Sequence, residues 1–282
     1  MALFRRCKLP VQRGFCNEVE LMDTIAQILG YTPIDTHSHF DHGVDGDLYT
    51  IAAKAARECH RLDLGILFQR YDQVGVGPVC FSTYASVSTN NRVAEENRYL
   101  HQLSLENDRI FQWVVVEPTQ PETFDQAAQM LKSKKTVGIK IHPKMHEYDI
   151  LEHGDKLFSF AHEMNAVVQM HPAEIPQMPA FADKYPNMKL IIAHLGNDVF
   201  MDAVAKAKHG NIFVDTSGSA SHANNVIERA VNRIGAEHIL FGTDGYSSAF
   251  QLARIAWADI AENHKKMILR SNALSLFPGV FE

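Results

Sequence analysis

The sequence predicts one (β/α)8 barrel behind a short N-terminal extension, on three observations. Eight short, β-branched apolar runs alternate with helical patterns from residue 33 to the end, the pattern of a parallel sheet covered by helices. Runs such as WVVV at 113–116 and LIIA at 190–193 are apolar without alternation, as strands buried on both faces are. Histidines and an aspartate stand at the carboxyl ends of several runs, including the first and the last. Closing a barrel makes those two strands neighbours and gathers all the ends on one rim, where active sites form. An open doubly wound sheet is the alternative that alternation alone allows.

The strands are expected at 33–39, 64–70, 110–117, 137–142, 166–171, 189–194, 212–216 and 238–243, with a further apolar piece at 76–83 competing for the second. Gly or Pro follows these runs closely, the punctuation that ends a strand. Residues 48–62, 94–108, 121–133 and 200–210 repeat apolar side chains every three or four positions, which predicts helices burying one face. Asp155, Asn197 or Asp198, and Asn224 are placed as N-caps, since short side-chain oxygens can accept from the free N–H groups of a first turn. A helix is expected at 264–277 and another, ahead of the first strand, at 17–29. The domain reading is an extension, residues 1–31, and one barrel, residues 32–282.

The 282 residues are 46% hydrophobic and 21% charged, enough to bury a full barrel core of roughly 250 residues. A net charge of −6 offers no global basic field to hold nucleic acid; Lys132–Lys135 reads as a solvated helix end. No apolar run approaches the roughly 18 residues that span a bilayer, and the first fifteen residues lack the apolar core of a secretory signal. Cys7, Cys16, Cys59 and Cys80 match no zinc or redox spacing and are expected as reduced thiols of a cytoplasmic protein. Leu21, Ile25 and Leu29 on the N-terminal helix suit either a homodimer contact or packing on the chain's own barrel.

The chemistry begins with His37-Ser38-His39. Residues i and i+2 of a strand share a face about 7 Å apart, so both imidazoles can reach one ion. Asp35 shares that face one layer deeper. Pro172 stops the strand after His171 and leaves that imidazole on the rim. Asp244 in FGTDG is a carboxylate beyond a buried strand, where a metal offsets the cost of burial. His37, His39, His171 and Asp244 are therefore the expected ligands of a divalent metal, zinc first and manganese second. Asp244 is also the expected proton acceptor. His194 is read as a ligand, as a group assisting the metal's water, or as a histidine behind the ligands. Lys140 and His142 share a face on the fourth strand. Lys140 has three readings: an anchor for a substrate carboxylate, a carbamylated bridge between two metals, or an ordinary ion pair. One metal ion is favoured, two if Lys140 is carbamylated. Arg70, Tyr84, Arg92, Asp215 and His222 are weaker candidates for the pocket, and the 40–49 loop with His42 for shaping it.

D-x-H-x-H at 35–39, GIKIHP at 138–143, QMHP at 169–172, AHLG at 193–196, GTD at 242–244 and the closing NALSLF resemble the amidohydrolase superfamily. The resemblance is to its amidohydrolase-related branch, which includes aminocarboxymuconate-semialdehyde decarboxylase, and it covers about 33–277. It implies a distorted TIM barrel and a divalent metal, usually zinc, on the residues matching His37, His39, His171 and Asp244. It also implies that His194 assists. The expected activity is metal-dependent hydrolysis of an amide, ester or lactone in a small anionic substrate, through an activated water that loses its proton to Asp244. Non-oxidative decarboxylation of an aromatic or muconate-type acid is the alternative on the same site, and a hydratase or isomerase a third. A structural barrel with a vestigial site is the non-enzymatic reading, and it would leave four ligand positions to chance.

Overall fold

The computed structural model describes residues 27, 29–41, 63–246 and 248–281. The helices expected at 17–29 (Gln27 and Leu29 apart) and 48–62 lie outside the described residues, as do Cys7, Cys16, Cys59 and the loop from His42 to residue 49. Cys80 is a buried free thiol. Among the described residues no helix is long and apolar enough to cross a membrane.

Eight parallel strands pair in chain order: β1 (Asp35–Phe40), β2 (Val79–Thr83), β3 (Ile110–Val115), β4 (Thr136–Ile141), β5 (Val167–Met170), β6 (Lys189–Ile192), β7 (Ile212–Asp215) and β8 (Ile239–Leu240). The sheet curls until its edges meet. Thr36 N–H donates to the Phe241 carbonyl at 2.9 Å, and Asp244 N–H to the His37 carbonyl at 2.7 Å. A nearly closed (β/α)8 barrel results, with the first and last strands as neighbours, and the open-sheet alternative falls.

One expected strand is a helix. Residues 64–70 belong to α1 (Leu64–Val74), which buries Leu67, Tyr71 and Val74. Its N-cap Asp63 accepts from the Ile66 N–H, and Gly75 ends it in the left-handed conformation. A short apolar run fits either element; the caps on both sides decide for helix, and the competing piece at 76–83 supplies β2. The helices α2 (Tyr84–Ser88), α3 (Val93–Glu106), α4 (Pro121–Met130), α5 (Pro143–His146), α6 (Ile150–Glu163), α7 (Met178–Lys184), α8 (Asp198–Lys206), α9 (Val226–Ile234) and α10 (Ser248–Ala256) cover the barrel. Asn197 caps α8 as expected, accepting from Val199 N–H. The other two caps are displaced. Asp149, not Asp155, caps α6, and Asp155 sits mid-helix, accepting from Lys184 and Tyr185. Asn225, not Asn224, stands before α9, in a left-handed conformation without a side-chain cap. The C-terminal helix divides into α11 (Glu262–Lys266), a π-helical turn (Met267–Ser271) and α12 (Asn272–Leu276).

The core has two parts. The larger lies between strands and helices. The smaller fills the lower barrel, where Ile34, Cys80, Trp113, Ile191 and Leu240 meet Leu276 and Phe277 from the C-terminus. Trp113 packs edge-on against Phe277 and donates its indole N–H to the Thr36 carbonyl at 2.8 Å. The lower barrel is thus packed, and the chemistry-bearing side chains stand at its upper rim. Gly138 lets β4 approach β5: an added Cβ would lie 2.3 Å from the Val167 carbonyl oxygen and 2.6 Å from the Trp113 ring. Gly138→Ala is expected to cost about 1–3 kcal/mol, as overpacked cores do. Thermal denaturation checks this, and an unchanged melting temperature contradicts it.

Candidate active site

His37, fully buried, is the centre of the rim. Its Nδ1 lies 2.9 Å from Asp215 Oδ2 on β7, and its Nε2 2.9 Å from Lys140 Nζ on β4. A protonated lysine only donates, so Nε2 carries the accepting lone pair and Nδ1 carries the proton that Asp215 receives. Burial, then the charge of Lys140, pushes the ring down to about 3 and keeps it neutral. His39 has the same polarity. Its Nδ1 donates to the Ser82 carbonyl at 3.1 Å, which leaves Nε2 bare, 3.1 Å from His37 Nε2 and 3.4 Å from Asp244 Oδ1. Asp244 Oδ1 is itself 3.5 Å from His37 Nε2. Three acceptor atoms therefore converge. Such a cluster repels itself unless a cation sits against it.

Asp215 holds a second imidazole as well. Its Oδ1 accepts from the backbone N–H groups of Ser217 (3.0 Å) and His194 (3.2 Å) and from the Ser217 hydroxyl. With that hydroxyl proton committed to Asp215, Ser217 Oγ accepts from His194 Nδ1 at 2.9 Å. Burial works against ionising Asp215, but its pairing with His37 and the hydrogen bond it accepts from that ring outweigh it and hold the carboxyl well below the usual range. Asp244 is likewise held low: burial opposes, and the surrounding imidazoles of His39, His194 and His37 prevail.

Loop geometry completes the rim. His194 and Asp244 adopt left-handed conformations, φ 64° and 62°, strain that surrounding contacts must hold. Part of that hold is Asp35, whose Oδ1 accepts from His37 N–H and Thr243 N–H and whose Oδ2 accepts from Tyr71 and Thr243 hydroxyls at 2.9 and 2.6 Å. His171, just past β5, stacks on His142 with ring centres 3.9 Å apart and meets His194 edge-on at 5.2 Å. Its Nδ1 is buried without a hydrogen-bond partner among the described residues. An orphaned imidazole nitrogen beside three converging acceptors is what a metal-binding donor set looks like before its ion is counted.

The seven residues expected at the site are gathered there. His37, His194 and Asp244 form the tightest group, offering ligand atoms within 4.8 Å of one another. His39, Lys140, His142 and His171 border a cavity of about 100 Å³, which His194, Asp244, Tyr84, Val87 and Tyr246 also line. Lys140 Nζ also donates to Gln169 Oε1 at 3.0 Å, and among the described residues no carboxylate lies within ion-pair distance of it. A second opening of about 250 Å³, bounded by Gly218 and Ser219, reaches His171, His194 and Asp244 from the β7 side. Of the weaker candidates, Tyr84 lines the cavity and Asp215 orients two rings. Arg70 is exposed, Arg92 pairs with Glu95, and His222 bonds Gln251. Ser217, Gln169 and Tyr246 were not foreseen; only Ser217, two residues after Asp215, carried a spacing signal.

Two expectations follow. An added Cβ at Gly218, φ 69°, would lie 2.6 Å from His194 Nδ1. Gly218→Ala should displace that ring, visible as a shift of its imidazole nitrogen resonances, and an unshifted ring refutes the contact. The second concerns acid. Burial holds five imidazoles (His37, His39, His142, His146 and His171) below their ordinary value of 6.5, with His37 and His171 at about 3. The unfolded chain takes up those protons first, so stability falls as pH drops from about 6.5 toward 3. Asp35, pushed up to about 7 by burial, acts in the opposite sense but is one group against five. Urea midpoints of chelator-treated protein should fall between about pH 7 and pH 4; a flat profile would contradict this.

The amidohydrolase family profile matches residues 34–279. No curated protein matches the chain. The structure is similar to 5-carboxyvanillate decarboxylase from Sphingomonas paucimobilis, 15% identical, over 87% of this chain and 98% of that one, with TM-score 0.70. It is similar to a dihydroxybenzoic acid decarboxylase from Polaromonas with bound manganese and 2-nitroresorcinol, 16% identical, over 87% and 96%, TM-score 0.67. It also resembles a putative 2-pyrone-4,6-dicarboxylic acid hydrolase from Pseudomonas putida, 16% identical, over 87% and 97%, TM-score 0.59. At these identities the structural likeness is one of fold. The sequence match spans the whole barrel and includes every histidine and carboxylate of the rim, and on that ground the chain belongs to the amidohydrolase family.

Proposed function

We propose that this chain is a divalent-metal-dependent enzyme that removes CO2 from a small planar carboxylic acid. One observation carries the reading: unprotonated His37 Nε2, His39 Nε2 and Asp244 Oδ1 converge beside the buried ammonium of Lys140. His37, His39, His171 and Asp244 would hold the ion, with His194 as a further donor or as their neighbour. A divalent ion there would supply Lewis acidity toward a substrate oxygen; histidine with carboxylate suits zinc or manganese, and one similar decarboxylase carries manganese.

The other roles belong to the chain. Lys140, with His142 beside it, binds the substrate's anionic end. Tyr84 and Tyr246 close the cavity over a flat body; about 100 Å³ leaves room for one small ring. His194, anchored at Nδ1 by Ser217, keeps Nε2 for a proton that must move to or from substrate. Two of the similar structures cited above are decarboxylases, which supports this reading over the hydrolysis expected from sequence.

Hydrolysis stays as a second reading because Asp244 is held ionised beside the ligand cluster, the state that accepts a proton from attacking water. A similar putative hydrolase agrees with it. The test is a panel of hydroxybenzoates, muconate-type acids and lactones, assayed with manganese or zinc. Release of labelled CO2, reduced at least about a hundredfold in His39→Ala and Asp244→Asn, supports decarboxylation. Turnover of lactones alone supports hydrolysis. Equal activity in His39→Ala removes both.

A further inference from the structure

We infer that Lys140 and the divalent ion compete for one acceptor, so that the ion enters only by displacing the lysine, which then turns to the substrate. The inference rests on the metal-binding reading above. Lys140 is 1% exposed, and its ammonium lies 2.9 Å from His37 Nε2 and 3.0 Å from Gln169 Oε1. An imidazole nitrogen without a proton has a single in-plane lone pair. His37 Nδ1 is committed to Asp215, so Nε2 is that ring's only free acceptor. It can receive the lysine proton or coordinate an ion, never both.

Charge points the same way. Two cations side by side in a buried site repel strongly, because little solvent screens them. Of the two carboxylates near enough to compensate, Asp215 is already engaged with His37, Ser217 and the His194 backbone, which leaves Asp244 alone to face two positive charges. Lysine, with its flexible four-carbon stem, has a place to go, because its side chain borders the cavity. Turned there, the ammonium faces the space a carboxylate would fill. Metal loading thereby creates the anion site, and Lys140 weakens ion binding as the cost of that coupling.

The test is the manganese affinity of chelator-treated full-length protein, read by the electron-spin signal of free Mn2+, in buffer freed of CO2. Wild type is compared with Lys140→Met and Lys140→Gln, two neutral replacements of similar length, after circular dichroism shows each to be folded. Both variants are expected to bind Mn2+ at least about tenfold more tightly. Affinity equal to or weaker than wild type in both would overturn the inference. So would wild-type affinity that rises with added bicarbonate and is lost in both variants, because Lys140 would then be a carbamate ligand rather than a competitor. His39→Ala is the control on the underlying reading. If it binds Mn2+ as wild type does, the ion is elsewhere and the site assignment fails first; if it binds poorly while the Lys140 variants match wild type, only the competition fails.

Discussion

The site depends on the hydrogen bond between Asp215 and His37. A neutral imidazole is a two-faced group, and whichever nitrogen holds the proton decides what the other can do. By receiving the Nδ1 proton at 2.9 Å, Asp215 turns His37 Nε2 into an acceptor aimed across the rim. Through Ser217 it also engages His194 at Nδ1. One buried carboxylate thus orients two rings from different parts of the rim. A histidine pointed into a cavity without such a partner would be free to present either nitrogen, and its affinity for a cation would be divided accordingly.

The barrel makes that arrangement affordable. Asp215 is at the end of β7, Lys140 on β4 and His37 on β1, and only a closed sheet brings all three within hydrogen-bonding reach. Closure is reinforced from below by the packed floor and from the side by Asp35, which ties β1 to the Thr243 turn and to Tyr71 of α1. The turn delivers Asp244 in a conformation that an aspartate rarely adopts alone. Rigid strands and one strained turn, rather than flexible loops, therefore hold the acceptors at close quarters.

Much of this was legible in the chain. The alternation of apolar runs and helical periods carried the barrel, and Pro143 and Pro172 marked where strands stop and the rim begins. The histidines stood out because polar groups at the ends of buried runs need a reason to be there. What was hidden is instructive. LGILFQR reads as a strand until its flanking caps are weighed, since seven apolar-rich residues have no period of their own. Asp215 was visible only as one carboxylate among several, and Ser217 and Gln169 as ordinary polar residues. Their importance lies in which atom they face, and that is a property of three strands meeting, not of any one segment. The choice between chemistries is equally local in space and scattered in sequence, for the cavity walls come from helix α2 at Tyr84 and Val87 and from the turn after β8 at Tyr246.

The chain has two tryptophans, and the fold sends them to opposite environments. Trp257 is 67% exposed on the outer surface, whereas Trp113 is fully buried with its N–H on the Thr36 carbonyl, one residue before His37. Collisional quenchers in water reach the first indole and not the second. The protein therefore contains a natural optical probe beneath its ligand cluster: once the surface emission is quenched, the remaining light comes from a ring bonded to the strand that carries both β1 histidines, and its colour follows the polarity and tension at the base of the site.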